Sequence, residues 1–372
     1  MSKKNKDLNS FLELLKAGLW GKRFNHKPLG VIGIDTVNNF AQEQSVSGLI
    51  AAGLDFVDGI NISKEVALQY AGLAVQIEQR NIAMNEFIRR LWAIFYEHDI
   101  HVILVKGQGV AQCYEKPLWR SSGDVDLLLD ENNYQRCKTL LVPLATSVEK
   151  EDSQRQHLGM CINNWIVELH GSLRTGQLRR MDKVIDTVQY ETFAGGQYRI
   201  WHNDKIDVLL PSPNNDIVFI FSHILQHFYG GGIGLRQVCD LCRLIWTYRI
   251  EIDLPLLEKR LFQMGMMEEW KLFAALSVYY LGMPEDKMPF FKQSKKNKRK
   301  AERLLRFIIK TGSFGHNRDK SFLNKYPKII RHFVLFLYYT YDSIQRFCIC
   351  PLGSVSAWYR WITKGFSRTV TR

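Results

Sequence analysis

The sequence predicts an α/β chain of the α+β kind, with a small mixed sheet held between two helical regions. Three observations carry this. Apolar residues recur at helical spacing over residues 63–98, short strand-like runs follow at 101–105, 125–129 and 164–170, and helical spacing returns beyond Pro211-Ser212-Pro213. The division that follows is a helical region at 1–98, an α/β core at 99–212 and a second helical region at 213–372.

Taken in order, Ser10 and Glu13 read as a capping box opening an amphipathic helix. Glu13 and Lys16 inside the apolar stretch argue against a signal peptide. The long helical pattern sets Val66, Tyr70, Leu73 and Ile77, then Met84, Phe87, Leu91 and Ile94, on one side with charges between them. A β-branched strand at 101–105 ends in a turn, Lys106-Gly107-Gln108-Gly109, and a short helix at 110–115 stops near Pro117. A strand at 125–129 precedes a helix beginning near Glu131, and the run 164–170 is again strand-like, as are 198–201 and 207–210. Helices are expected over 216–248, 256–281 and the C-terminal stretch. The apolar run at 333–341 is about half the ~20 residues that span a bilayer, and Asp342 closes it, so no transmembrane helix is expected.

Hydrophobic residues make up 46% of the 372, enough for a globular core and against a fibrous or disordered chain. Fifty Lys and Arg against 37 Asp and Glu leave a charge of +13, which suits phosphate-rich partners such as an NTP, RNA or an anionic membrane. Seven cysteines, an odd number, suit a reducing compartment and hence a cytoplasmic protein. The close pairs Cys239 with Cys242 and Cys348 with Cys350 lie far apart in the chain, a poor pattern for a zinc site.

The segment that carries chemistry is Leu104-Val105-Lys106-Gly107, then Arg120-Ser121-Ser122-Gly123-Asp124-Val125-Asp126-Leu127. Two carboxylates two residues apart on a strand project from the same face, so Asp124 and Asp126 can reach one metal cluster while Val125 and Leu127 point into the core. Carboxylates placed this way can hold a pair of ions about 3.5–4 Å apart for phosphoryl transfer, and hard oxygen ligands favour Mg²⁺ or Mn²⁺ over zinc. A bare Asp-x-Asp also occurs on exposed strands, so its context decides.

That context, a strand ending in a glycine turn, a short helix and a strand bearing Asp-x-Asp, resembles the polymerase-beta-like nucleotidyltransferase superfamily. More narrowly, Lys106-Gly107 followed by Tyr114, Pro117, Arg120 and Gly123-Asp124-Val125-Asp126-Leu127 resembles a bacterial nucleotidyltransferase family often linked to polysaccharide gene clusters, most closely over 103–129. The resemblance implies transfer of an NMP from an NTP to an acceptor hydroxyl with release of pyrophosphate. The acceptor stays open among a sugar, a small molecule, a protein and a tRNA end. Asp124 and Asp126 would be metal ligands, and Gly107 and Gly109 would shape the phosphate turn. Lys106 or Arg120 would hold the triphosphate. A third carboxylate, as ligand or base, is expected from a later strand, and Glu168 is the candidate, since an unpaired carboxylate in the apolar run around it would be costly. The plainer alternatives are surface cations for Lys106 and Arg120 and an edge-strand glutamate facing water. His170, two residues on, could touch phosphate or simply pack.

His223 and His227 lie four apart on one expected helix, and Arg236 and Asp240 four apart on the next, so each pair shares a face. Helix contacts are their leading reading; closing the nucleotide cleft, or a metal site completed by Asp240, are alternatives. The run Gly230-Gly231-Gly232-Ile233-Gly234 lacks the surroundings of a phosphate loop and reads as a turn. Lys292, Lys295, Lys296, Lys298, Arg299 and Lys300 run into a helix and read as a solvated face. With Trp358, Tyr359 and Trp361 they leave open two alternatives to the enzyme: a catalytically silent nucleotide- or RNA-binding protein, and a membrane-surface protein.

Overall fold

The computed structural model describes residues 3–23, 33–57, 62–230, 232–313, 327–351, 353–355 and 358. In chain order come α1 (Lys3–Trp20), α2 (Ile34–Glu43), α3 (Ser47–Leu54), α4 (Lys64–Glu97), β1 (Ile103–Val105), α5 (Gly107–Ala111), β2 (Asp124–Leu128), α6 (Glu131–Leu141), β3 (Ser147–Val148), β4 (His157–Ile162), β5 (Trp165–His170), α7 (Arg179–Phe193), β6 (Tyr198–Asn203), β7 (Ile206–Pro211), α8 (Pro213–Gly230), α9 (Leu235–Thr247), α10 (Leu254–Met264), α11 (Met267–Leu281), α12 (Lys295–Thr311) and α13 (Lys328–Phe347). The expected α+β fold is what the structure shows.

Five strands form one mixed sheet in the order β1-β2-β5-β4-β3. β1 runs antiparallel to β2, β2 parallel to β5, and β5 antiparallel to β4. Two residues, Asn163 and Asn164, join β4 to β5 at φ of 49° and 65°, the positive values that a two-residue hairpin turn demands. β6 and β7 pair separately.

The period of two along each strand sorts side chains to the two faces of the sheet. Leu104, Val125, Leu127, Leu158, Met160, Val167 and Leu169 turn to one face, where Phe87, Leu91, Trp92 and Phe95 of α4 and Tyr134 and Cys137 of α6 close over them. Ile103, Val105 and Leu128 turn to the other face and join a larger, mostly helical core built from α1 to α3 and α8 to α12. Because α4 is long, its first half, through Tyr70 and Ala74, belongs to that helical core and its second half covers the sheet. Its start is set by Ser63, whose side chain accepts from the Val66 N–H at 3.4 Å.

The structure departs from the expected elements at helix starts, α1 and α12 among them. α1 begins at Lys3, so Ser10 is no cap: it lies buried in mid-helix and donates to the Lys6 carbonyl at 3.2 Å. Burial of Phe11, Leu14, Leu15 and Leu19 along one face of α1 sustains a helix that local sequence would have started later. α12 begins at Lys295 behind the Ser294 cap, so most of the lysine run forms its first turns. Ala301, Leu304, Leu305 and Ile308 seat this helix in the core, and the cations stay at the surface. Among the described residues no helix is long and apolar enough to cross a membrane, and all seven cysteines are free.

Candidate active site

Asp126 and Glu168 are register partners on the adjacent parallel strands β2 and β5, and Asp124 lies two residues earlier on β2. All three project from the face opposite the Val125-Leu127 core, and one oxygen from each carboxylate lies within 4.8 Å of the others. β5 is flanked by β2 and β4, so Glu168 is on a central strand and the edge-strand reading is excluded. The cleft over these residues has a volume of about 310 Å³, and its opposite wall comes from α8 and α9.

Lys106 sits at the end of β1 with φ of 58° and ψ of −143°, a conformation that costs a side-chain-bearing residue free energy. It brings the ammonium to 2.7 Å from Asp126 Oδ1. His170 Nε2 reaches the same oxygen at 2.8 Å and Glu168 Oε2 at 3.3 Å. His157, directly across the β4–β5 ladder from His170, reaches Glu168 Oε2 at 3.2 Å. Burial alone would neutralise these groups, but the charges compensate one another. Lys106 and His170 hold Asp126 below the usual carboxylate range despite its burial. His157 and His170 do the same for Glu168, and the two carboxylates raise His170 against the effect of burial.

Asp124 differs. Repulsion from Asp126, then burial, raises its pKa, and among the described residues no hydrogen bond or ion pair takes its carboxylate. An unpaired carboxylate beside two others, all offering hard oxygen atoms, fits a divalent cation of the Mg²⁺ or Mn²⁺ type. Asp124, Asp126 and Glu168 are the residues that would hold it.

Two of the expected phosphate-turn residues take other positions. The turn is the single residue Lys106, and α5 starts at Gly107, whose φ is 37°; a Cβ there would stand 3.3 Å from the Asp124 carbonyl oxygen. Gly109 lies inside α5 without a positive φ, and a Cβ on it would meet Leu210 of β7 at 2.8 Å. Gly109 thus packs closely against β7 from within a helix.

Arg120 is neither a surface cation nor an open one. It is buried and gives Asp240 two hydrogen bonds of 2.7 Å, while the Tyr114 hydroxyl donates to the same carboxylate at 2.6 Å. This pairing takes up both oxygens of Asp240 and compensates the Arg120 charge, although both residues line the cleft. The loop before β2 is pinned further by Asn81 of α4, which donates to the Leu118 and Arg120 carbonyls at 2.7 and 2.8 Å, and by Gln108, which receives the Ser122 hydroxyl at 3.1 Å.

Among the described residues that line the cleft, Arg236 is the cation without an ion pair. It donates one bond to the Ser121 carbonyl at 2.9 Å, its buried Nε has no hydrogen-bond partner, and among the described residues no carboxylate lies at ion-pair distance. Burial, then Arg120, lowers its pKa, so an anion entering the cleft meets a poorly compensated guanidinium.

His223 and His227 also line the cleft, with ring centroids 4.4 Å apart. Burial first, then Lys106, depresses both, His227 to about 4, so they are neutral imidazoles at pH 7. Among the described residues they do not come together with Asp240 as a ligand group. Gly230 ends α8 and residues 232–234 lead into α9, with Gly231 outside the described residues. Tyr359 and Trp361 lie outside them too, and Trp358 donates to Thr340 Oγ1 at 3.3 Å.

Sequence reasoning passed over His157, Gln108 and Asn81. A signal for His157 existed, since Asn163-Asn164 between two apolar runs marks a hairpin whose first strand starts at His157. Asn81 and Gln108 carry no such mark.

The fold is a small mixed sheet among helices, and its cleft sets three convergent carboxylates opposite the Arg236 guanidinium. A family model described as an uncharacterised nucleotidyltransferase matches residues 31–282, more than half of the chain, and the chain belongs to that family. No curated protein and no solved structure matched it. Membership carries nucleotidyl transfer as the general activity and an NTP as the general substrate. The match ends just after α11, so α12 and its lysines lie beyond it.

Proposed function

We propose that the protein moves an NMP from an NTP to an acceptor hydroxyl, releasing pyrophosphate, at the cleft between β2, β5 and the α8–α9 wall. The observation that carries this reading is the convergence of Asp124, Asp126 and Glu168 on a cleft whose other side presents Arg236. A divalent ion on the three carboxylates would supply charge neutralisation at the phosphates and acidify the attacking hydroxyl.

The protein's own groups account for the rest. Arg236 lines the cleft opposite the carboxylates, and its guanidinium would take phosphate oxygens and offset the negative charge that grows as the bond from the α-phosphorus to the bridging oxygen breaks. Lys106 fixes the Asp126 carboxylate and offsets part of the cluster's charge, a positioning role in place of direct phosphate binding. Two imidazoles keep Glu168 ionised, which suits a cation ligand better than a base, because a strongly acidic carboxylate takes up a proton poorly. Neutral His223 and His227 offer the cleft hydrogen-bonding groups without adding charge.

The test is transfer of label from each of the four α-labelled NTPs, with Mg²⁺ or Mn²⁺ and a cell extract as acceptor source. Wild type should release pyrophosphate and label a product that names the acceptor, and Asp124→Ala and Asp126→Ala should do neither. Absence of metal-dependent NTP binding in the wild type would sink the proposal; binding without release would favour a silent nucleotide binder.

A further inference from the structure

We propose that His157, Glu168 and His170 form a second cation position, with two nitrogen donors and one oxygen, that takes a divalent transition ion such as Zn²⁺. It shares only Glu168 with the three-carboxylate group, and each of its members offers a ligand atom within 4.8 Å of the others. Two of its edges fit an ion. His157 Nε2 and His170 Nε2 lie 3.2 and 3.3 Å from Glu168 Oε2, and donors about 2.0–2.2 Å from a shared ion stand roughly 3.0–3.5 Å apart in tetrahedral or octahedral arrangement.

The backbone builds this grouping. Glu168 and His170 are two apart on β5 and share a face, and His157 is the register partner of His170 on β4. A short antiparallel ladder therefore delivers all three donors without help from a loop. The nitrogen donors separate this position chemically from its neighbour, since imidazole favours zinc-like ions and the all-oxygen group favours Mg²⁺.

His170 can turn its Nε2 lone pair to an ion without stranding Asp126, which keeps Lys106 at 2.7 Å. An ion here ties β4 to β5 and holds the Glu168 carboxylate in place at the cleft. Two imidazoles that only donate to one carboxylate oxygen would give the same contacts, and metal retention separates the two cases.

The experiment uses the full chain, stripped with a chelator, loaded with Zn²⁺ and dialysed against excess Mg²⁺, with zinc counted afterwards. Wild type should retain one equivalent, and Asp124→Asn should retain it too. His157→Gln should weaken zinc binding by roughly 10- to 100-fold or more, and His157→Cys should restore it, because a thiolate is a good zinc ligand. Loading with Co²⁺ should give visible ligand-field absorption in every variant that keeps the site. The proposal is overturned if Mg²⁺ displaces the zinc from wild type, if His157→Gln holds it as tightly, or if Asp124→Asn loses it. The transferase reading is tested separately by NTP binding in Mg²⁺ alone, so either can fail without the other.

Discussion

Arg120 and Asp240 meet through two parallel hydrogen bonds of 2.7 Å across 120 residues of chain, joining the loop before β2 to α9. This pair sets the distance between the carboxylate strand and the helical wall of the cleft. Removing one partner leaves a buried charge uncompensated, so Asp240→Asn should cost about 3–5 kcal/mol of stability. Arg120→Lys keeps the charge but loses the fork and should also destabilise. Denaturant unfolding of both single variants and of the double variant checks this: the double should lose clearly less than the sum.

Arg236 should behave in the opposite way. Its guanidinium is buried without a carboxylate partner, so Arg236→Met should melt no lower than the wild type. NTP affinity should fall by about 1.5–3 kcal/mol, the worth of charge-assisted bonds to phosphate. Calorimetric titration with each NTP against melting curves reads both; a large loss of stability with unchanged affinity would make Arg236 a structural residue.

The two aspartates of β2 should separate as well. Asp126 anchors Lys106 and His170, so Asp126→Asn should destabilise by about 3–5 kcal/mol. Asp124 is repelled by Asp126 and, among the described residues, makes no hydrogen bond or ion pair, so Asp124→Asn should be neutral or stabilising while abolishing metal-dependent NTP binding. Equal melting temperatures for the two variants would contradict the pairing.

Gly109→Ala tests whether that glycine serves packing. The added methyl would meet Leu210, and the overpacking should cost about 1–3 kcal/mol. NTP affinity measured on the folded fraction should stay within error of wild type, and recovery of stability in Gly109→Ala with Leu210→Val would confirm the contact.

His227 should leave a mark on the pH dependence of stability. Burial, then Lys106 and Arg236, hold it near 4 in the folded chain, against about 6.5 unfolded. The folded state therefore binds fewer protons, and this contribution is fully present above about 6.5 and lost as pH falls toward 4. His227→Gln should flatten that limb of a stability profile measured by urea unfolding between these values. Identical slopes in the two proteins would show that the imidazole is protonated in the cleft.

Much was legible in the sequence because it rests on local periodicity. The helix over 64–97, the strands bearing Asp124, Asp126 and Glu168, and the direction of Val125 and Leu127 into the core all follow from spacings of 3.6 and 2. The family follows from residues close together in the chain, chiefly 103–129. What only the tertiary structure decided were the partnerships. Nothing local tells Arg120, held by Asp240, from Arg236, left open to the cleft, because a cation's role depends on which carboxylate folding brings to it from far along the chain. Nor could local sequence assign Gly109 to Leu210, start α1 ahead of Ser10, or set His157 opposite His170, since each is fixed by contacts between distant segments. Sequence determined which groups the protein carries and which face of each element they occupy; packing determined which charges cancel and which remain to meet a substrate.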